Sequence, residues 1–313
     1  MEVKKTFSLV IPVFNNAPTL DRVIEACESL NQKLDQSLEV ICVVDGSPDD
    51  SFSVLTRHLG RTSFPLTLIK LSRNFGAFSA VRAGLRAARG NYFSVMAADL
   101  QEPPSLIFDI FSGLKLGDAD IIIGQRRSRE DGFLAGALSG LVWKILRAFV
   151  FRDLPKGGVD VFGCNQVFLN ALLKLRESNT SLIGQLFWLG FNRKLILYDR
   201  LKRPIGKSGW SLSKKINYFL DSIYAFSDLP IKILSFLGLC GVTLSIILGA
   251  IILSFRIFGS TVTVPGYAAT LTVLLFFFGL NSIGLGVVGG YAWRAYENTK
   301  ERPDVVISEI KTS

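Results

Sequence analysis

Between Ile233 and Phe255 the chain carries no charged residue, and between Ile257 and Trp293 it again carries none. Each run supplies the roughly 20 apolar residues that a helix needs to cross the hydrocarbon core of a bilayer. Turn-forming residues between Thr261 and Tyr267, with Pro265 and Gly266 among them, predict a helical hairpin. Two buried helices of a soluble core are the other reading, but uncharged runs this long exceed what such a core uses. The apolar share of 49% is high for a soluble protein, and its excess is not spread evenly along the chain. Met1 to Lys5 lead directly into a strand-like segment, so no cleaved leader is expected.

Charge sets the orientation. From Arg193 to Lys232, just before the first run, nine Lys and Arg face three Asp, a net of +6 within a whole-chain charge of +9. Arg294, Lys300 and Arg302 follow the second run, and only Arg256 falls between the two. The excess of Lys and Arg on cytoplasmic flanks then places both termini and the large N-terminal region in the cytoplasm, as an integral multi-pass protein. The basic segment abuts a membrane run, so its expected partner is anionic headgroups rather than nucleic acid. Cys27, Cys42, Cys164 and Cys240 show no metal-binding spacing, which fits a reduced compartment. His58, the one histidine, lies in a polar helical stretch, so histidine-dependent triads and zinc sites are not expected.

The N-terminal region alternates strands with helices. Phe7–Phe14, Glu39–Val44, Thr67–Leu71, Tyr92–Ala98 and Asp120–Gly124 read as buried strands, with a helix from about Thr19 to Leu30. A helix carrying Ala80, Ala83, Gly84, Ala87 and Ala88 is expected to pack closely. This is an α/β fold with a mostly parallel sheet flanked by helices. Polar residues recur at strand C-termini: Asn15, Asp45, Arg73 with Asn74, and Asp99 with Gln101. Open α/β sheets bind ligands along that edge, and one ligand crossing it accounts for all four. Asp99 and Gln101 offer oxygen acceptors suited to a hard cation, Mg²⁺ or Mn²⁺, before a Pro103–Pro104 pair that opens a helix.

Two segments are amphipathic. Leu134, Leu138, Leu141, Val142, Ile145, Leu146, Phe149 and Val150 follow helical spacing and suit either the core or an interface. Ile216, Phe219, Leu220, Ile223 and Phe226 do so immediately before the first apolar run and predict an in-plane interfacial helix. Gly284-Leu285-Gly286-Val287-Val288-Gly289 matches a dinucleotide fingerprint but lies inside an apolar run with no strand before it. Its small residues instead suit helix packing, within the hairpin or between protomers of a homo-oligomer.

Taken in order, SLVIPVFNN (Ser8–Asn16), VVDGSPDDS (Val43–Ser51), LSRNFGAFSAVRAGLRAARG (Leu71–Gly90), MAADLQEPP (Met96–Pro104), GQRRSR (Gly124–Arg129) and YDRLKRPIGKSGWS (Tyr198–Ser211) resemble family 2 glycosyltransferases of the GT-A fold. With the basic linker and hairpin, the chain is similar over nearly its full length to the polyprenyl-phosphate glycosyltransferases, relatives of dolichyl-phosphate mannose and glucose synthases. The resemblance implies a cytoplasmic GT-A domain over 1–210, an amphipathic linker over 211–232, two transmembrane helices over 233–293 and a tail over 294–313. It implies transfer of a monosaccharide from a nucleotide sugar, a UDP-sugar by analogy with bacterial relatives, to undecaprenyl phosphate at a bacterial inner membrane, with inversion, serving cell-envelope glycan or lipid modification. Pro12, Phe14, Asp45, Arg73, Asn74 and Asp99 would hold the nucleotide sugar, Asp45 by accepting a hydrogen bond from the uracil edge. Asp99 and Gln101 would ligate Mg²⁺ or Mn²⁺. Arg126, Arg127, Ser139, Arg200 and Arg203 would gather the acceptor phosphate, and Asp99 with those four arginines forms the expected catalytic set.

Two departures stand out. Many relatives carry Asp where this chain has Ala97, and Phe133–Gly140 lacks an arginine that relatives often place before the matching serine. Arg126, Arg127 or Arg129 would then substitute. A lipid monophosphate is already largely ionised near neutral pH, its second pKa lying near ~6, so such an enzyme needs no general base. A processive polysaccharide synthase would need more spans and a QxxRW motif, which is absent. A catalytically weak membrane scaffold that binds sugar nucleotide is the alternative, and Ala97 is its support.

Overall fold

A computed structural model describes residues 6–127, 159, 161–177, 180–201, 212–258 and 266–313. Ser139, Arg129, Arg203 and the first amphipathic segment lie outside the described residues. Five strands fall where their apolar runs predict: β1 (Phe7–Val13), β2 (Leu38–Val44), β3 (Leu66–Leu71), β4 (Tyr92–Val95) and β5 (Ile121–Arg126). They are joined by α1 (Leu20–Lys33), α2 (Ser51–His58), α3 (Ala77–Ala87) and α4 (Pro104–Leu116). Continuous apolar strands need cover on both faces, and both faces are covered. Leu20, Ile24, Leu55, Ile107 and Phe111 from α1, α2 and α4 pack on one side. Ala80, Val81 and Leu85 of α3 pack on the other, with α5 (Gln166–Lys174) and α6 (Leu182–Trp188).

β6 (Val161–Asn165), β7 (Arg193–Tyr198) and β8 (Ile307–Thr312) complete an eight-stranded sheet in the order β7-β5-β6-β4-β1-β2-β3-β8. β1 pairs in parallel with both β2 and β4, so the strand order reverses at β1 and opens a crevice at its C-terminal end. β6 is antiparallel to β4 and to β5, and β7 is parallel to β5. The C-terminal ends of β1 to β5 and of β7 therefore share one edge.

Gly84 lets α3 sit directly on the sheet, because a Cβ there would stand 2.4 Å from Val10 Cγ1 and 3.0 Å from Val43 Cγ2. Within the segment expected as a tail, the β8 backbone pairs antiparallel with β3 from Thr67 to Leu71. Ile307 and Ile310 remain 43% and 56% exposed, so main-chain hydrogen bonding rather than apolar burial recruits the strand.

α7 (Leu212–Phe226) leads into α8 (Leu229–Ile257) and α9 (Gly266–Thr299). Leu229–Ile247 and Val273–Thr299 are each long and apolar enough to cross a membrane. A helix of a soluble core would bury its large side chains, yet Phe236 is 65%, Phe278 72% and Leu285 74% exposed. α7 gives part of its apolar face to the α/β domain, burying Ile223 and packing Phe219 against the same cluster as α3. It also grips α9: Arg294 donates to Asp221 at 2.6 Å, and the Tyr224 and Tyr291 rings stand 4.8 Å apart. Of the glycines in the second run, Gly290 receives Tyr224, whereas Gly284, Gly286 and Gly289 meet nothing within 4 Å among the described residues.

Replacing Gly84 with Val drives methyl groups into Val10 and Val43 and is expected to destabilise the fold by about 1–3 kcal/mol. Thermal unfolding of the detergent-solubilised protein checks this, and an unchanged midpoint would mean that α3 does not depend on this close seat.

Candidate active site

The first loop on the shared edge follows β1. Pro12 is half-buried within the strand, and Phe14 just beyond it is 41% exposed, which leaves an aromatic face at the mouth of the crevice. Asn15 adopts φ 55°, a left-handed conformation that asparagine tolerates better than most residues. The loop after β2 fixes this turn. Ser47 Oγ accepts from Asn15 N at 2.8 Å, Ser51 Oγ from Asn16 N at 3.3 Å, and Asp49 Oδ2 from Ala17 N at 2.9 Å. Burial pushes the Asp49 carboxyl up, but hydrogen bonds from Ser47, Ser51 and Ala17 outweigh it and leave the pKa below the usual aspartate range.

Asp45 is 2% exposed at the end of β2. Its Oδ1 accepts from Phe75 N at 2.7 Å and its Oδ2 from Gly76 N at 2.9 Å, so the carboxylate clamps the loop that follows β3. Gly46 packs so closely on that loop that a Cβ would stand 2.2 Å from the Arg73 carbonyl carbon, and its φ of +57° also disfavours a side chain. Arg73 and Asn74 are exposed on the same loop, with the Arg73 guanidinium 4.0 Å from the centre of the Phe75 ring. Burial raises the Asp45 pKa above 3.8, with the Phe75 and Gly76 amides and the Arg73 charge acting against the rise.

The third cluster follows β4. Asp99 is 9% exposed, and its Oδ1 accepts from Gln101 N at 3.2 Å across Leu100, which adopts φ 55°. A leucine in that region is strained, and the strain sits where Asp99 and Gln101 are presented. Thr19 Oγ1 donates to the Ala98 carbonyl at 2.8 Å, and the buried Glu102 carboxylate accepts from Ala97 N at 3.3 Å. Thr19, Glu102 and Asp49 are thus supports that sequence reasoning passes over, since each reads as an ordinary helix-flanking residue.

The cationic side comes from β5 and β7. Arg126 is half-buried at the end of β5, and the exposed Arg127 lies 3.5 Å from Asp199. Arg200 donates to Gln101 Oε1 at 2.6 Å, while Gln101 Nε2 donates to the Leu201 carbonyl at 3.3 Å. The amide oxygen expected among the metal ligands therefore also holds an arginine expected at the acceptor, which couples the two groups.

No group of three or more His, Cys, Asp or Glu that could enclose a metal occurs among the described residues. Asp99 and Gln101 offer hard oxygen donors that fit a divalent cation completed by a ligand's own oxygens, and Ala97 adds none. His58 stands aside, 2.7 Å from Asp21 between α2 and α1. Pro12, Phe14, Asp45, Arg73, Asn74, Asp99, Gln101, Arg126, Arg127 and Arg200 all lie on the one edge. Buried acceptors face exposed guanidinium groups there, an arrangement suited to a ligand with a polar base and phosphates.

Known proteins give this edge a context. The Bacillus subtilis protein CsbB, named as a glycosyltransferase, is 33% identical over 303 residues, covering 96% of this chain and 91% of its own. A prophage bactoprenol glucosyl transferase homolog of Escherichia coli K12 is 29% identical and covers 97% of this chain and 99% of its own. An undecaprenyl-phosphate 4-deoxy-4-formamido-L-arabinose transferase of Pseudomonas syringae is also 29% identical and covers 99% and 92%. Among solved structures, glucosyl-3-phosphoglycerate synthase of Mycobacterium tuberculosis, in complex with Mn²⁺, UDP and glucosyl-3-phosphoglycerate, superposes with a TM-score of 0.51. It is 17% identical and covers 70% of this chain and 78% of its own, a likeness of fold. Residues 8–175, which run from β1 through the strand-end clusters, match the family described as Glycosyl transferase family 2, and the chain belongs to that family as a glycosyltransferase.

Proposed function

We propose that this enzyme moves a monosaccharide from a UDP-sugar to a polyprenyl phosphate, undecaprenyl phosphate in a bacterial inner membrane, with inversion and with Mg²⁺ or Mn²⁺. The observation that carries the reading is the union of two features in one fold. The strand-end edge gathers buried carboxylates and exposed arginines, and the same domain continues into two exposed apolar helices and takes back the chain after them as β8. A nucleotide sugar is water-soluble, whereas a polyprenyl acceptor resides in the bilayer. An enzyme joining them works at the membrane surface.

Return of the chain to β3 fits an even number of crossings, with the catalytic domain and both ends of the hairpin on one side. The basic stretch before α8 supports the cytoplasm as that side. The names of the bactoprenol and undecaprenyl-phosphate relatives point to the same class of acceptor.

In this reading Phe14 and Asp45 receive the base, with Arg73 and Asn74 beside it. Asp99 and Gln101 would hold the cation, whose positive charge, when bound, would be available to the departing diphosphate. Arg126, Arg127, Arg200 and Arg203 align the acceptor phosphate, whose oxygen attacks the anomeric carbon as the bond to the nucleoside diphosphate breaks. That oxygen is ionised near neutral pH, so positioning and charge carry the catalysis and no side-chain base is required.

The purified protein with undecaprenyl phosphate and Mg²⁺ or Mn²⁺ is expected to release nucleoside diphosphate from one member of a nucleotide-sugar panel. Release should depend on both lipid and metal and fall at least about 100-fold in Asp99→Ala. Nucleotide binding without lipid-dependent release from any donor would instead favour the sugar-nucleotide-binding scaffold.

Arg200→Ala is expected to raise the KM for the lipid by about tenfold, the scale of a lost charge-assisted hydrogen bond. An unchanged lipid KM would remove Arg200 from the acceptor site.

A raised carboxyl pKa also makes Asp45 protonate before an ordinary aspartate does as pH falls. Nucleotide affinity, measured by titration calorimetry, should weaken through that range, and Asp45→Asn should bind poorly at every pH. For stability, ionised Asp45 imposes a cost that is absent below the unfolded value of 3.8 and full above the folded pKa.

A further inference from the structure

The segment that returns from α9 touches the start of the Ser72–Gly76 loop and the helix α3 that follows it. At the start, the Val306 carbonyl accepts from Ser72 N at 2.9 Å. Beyond the loop, Asp304 Oδ2 accepts from Arg86 Nη2 at 2.6 Å and lies 3.5 Å from Arg82 Nε, and both arginines belong to α3. α3 begins at the Gly76 cap, so anything that fixes this helix also fixes the Phe75 and Gly76 amides that hold Asp45.

Arg82 is an unusual residue for this place. It is 6% exposed, Nη1 donates to Gln185 Oε1 at 3.1 Å, and Nη2 donates to the Leu175 carbonyl. Those partners are neutral. Burial works against its charge, and Asp304 is the foremost group favouring the charged form, with Glu177 assisting. The side chains of Arg82 and Asp304 are 7% and 19% exposed, so solvent and salt screen the pair far less than a surface pair. A cavity of about 320 Å³ adjoins it, lined in part by Arg73, Phe75, Ser79, Gln185 and Arg302. Close apolar packing does not fill that space, which leaves directed polar contacts to bind the returning segment to α3.

We propose that Asp304 is a positioning residue for nucleotide binding: it anchors Arg82 and Arg86, and through α3 it sets the loop that presents Asp45, Arg73 and Asn74. The inference rests on the reading that this loop receives the nucleotide. The chain leaving the second apolar helix thereby becomes a working part of the cytoplasmic site rather than a terminal tail.

Asp304→Asn keeps the shape and removes the charge, leaving the buried Arg82 guanidinium short of its carboxylate. In the full-length protein in detergent, titration with uridine diphosphate and guanosine diphosphate is expected to show about a tenfold loss of affinity for whichever binds the wild type. The KM for the nucleotide sugar should rise similarly while kcat changes less than about twofold, and Asp304→Glu should restore most of the loss. Hydrogen exchange of the Phe75 and Gly76 amides should quicken in the Asn variant.

Wild-type affinity in a folded Asp304→Asn protein would overturn the proposal, as would a fall in kcat alone. Should Asp304→Asn not fold, Arg86→Gln removes the more exposed half of the anchor, and the same loss of affinity or its absence decides. If the wild type binds neither nucleotide, the assignment of the loop to nucleotide fails. Exchange at Phe75 and Gly76 then judges the anchor by itself, faster exchange supporting it and unchanged exchange overturning it.

Discussion

Parallel pairing of β4, β1, β2 and β3 is the constraint from which the site follows. Parallel strands send every C-terminal end to one edge, and the reversal of order at β1 parts the loops there into a crevice. Loops in such a place carry backbone N–H groups that the sheet cannot satisfy. Here side chains satisfy them: Asp45 takes the amides of Phe75 and Gly76, and Asp49 takes those of Ala17 and Ser51. A buried carboxylate is costly to desolvate, and for Asp45 charge-assisted bonds from two amides offset part of that cost. The groups that bind loop to loop thus lie among those proposed to meet the ligand, and these bonds form with no ligand present.

Where burial on both faces imposed a continuous apolar run, the sequence was readable. β1 through β5 were recognisable within about three residues at each end, as was the start of α4 at Pro104. β6, β7 and β8 were not. β6 is five residues long and contains Gly163, kept small because a Cβ would stand 2.8 Å from the Phe93 carbonyl oxygen. Both remaining strands lie at edges: β7 carries only a short apolar run, Leu195–Tyr198, after two basic residues, and β8 joins through main-chain bonds that leave little apolar signature. The site divides in the same way. Strand-end position marked Asp45, Asp99 and Gln101, but Gln101 as the partner of Arg200, 99 residues away, had no local signal. No local sequence pattern points to Glu102 or Asp304, whose partners come from the fold.

Ala97 shows how the surroundings can change what a missing side chain means. An aspartate there would add a second carboxylate beside Asp99, and like charges at close range raise each other's pKa unless a cation binds. This chain instead turns the buried Glu102 carboxylate toward the Ala97 amide, so the acidic group supports the backbone rather than facing the crevice. In the proposed function Asp99 is then the ligand-facing carboxylate, and the region is less repulsive to an incoming diphosphate. Its expected cost is weaker hold on a metal alone, with the diphosphate's own oxygens becoming part of the binding site.

The order in which this chain becomes complete follows from its longest-range contacts. Leu66 N donates to the Ser313 hydroxyl across 247 residues, and Arg86 reaches Asp304 across 218. Loop-closure entropy rises slowly with length, so these contacts are thermodynamically affordable, but they cannot form until the whole chain is made. β1 to β4 and their helices have the local pairings to fold first, leaving the β3 edge and the Arg82–Arg86 face of α3 open. The two apolar helices precede the returning segment in the chain, so they are made before it. Strand β8 then closes the edge, and Asp304 reaches the two arginines. Completion of the loop that carries Arg73 and Phe75 is thereby tied to correct seating of the hairpin, because one short segment comes off the last helix and ends in the sheet.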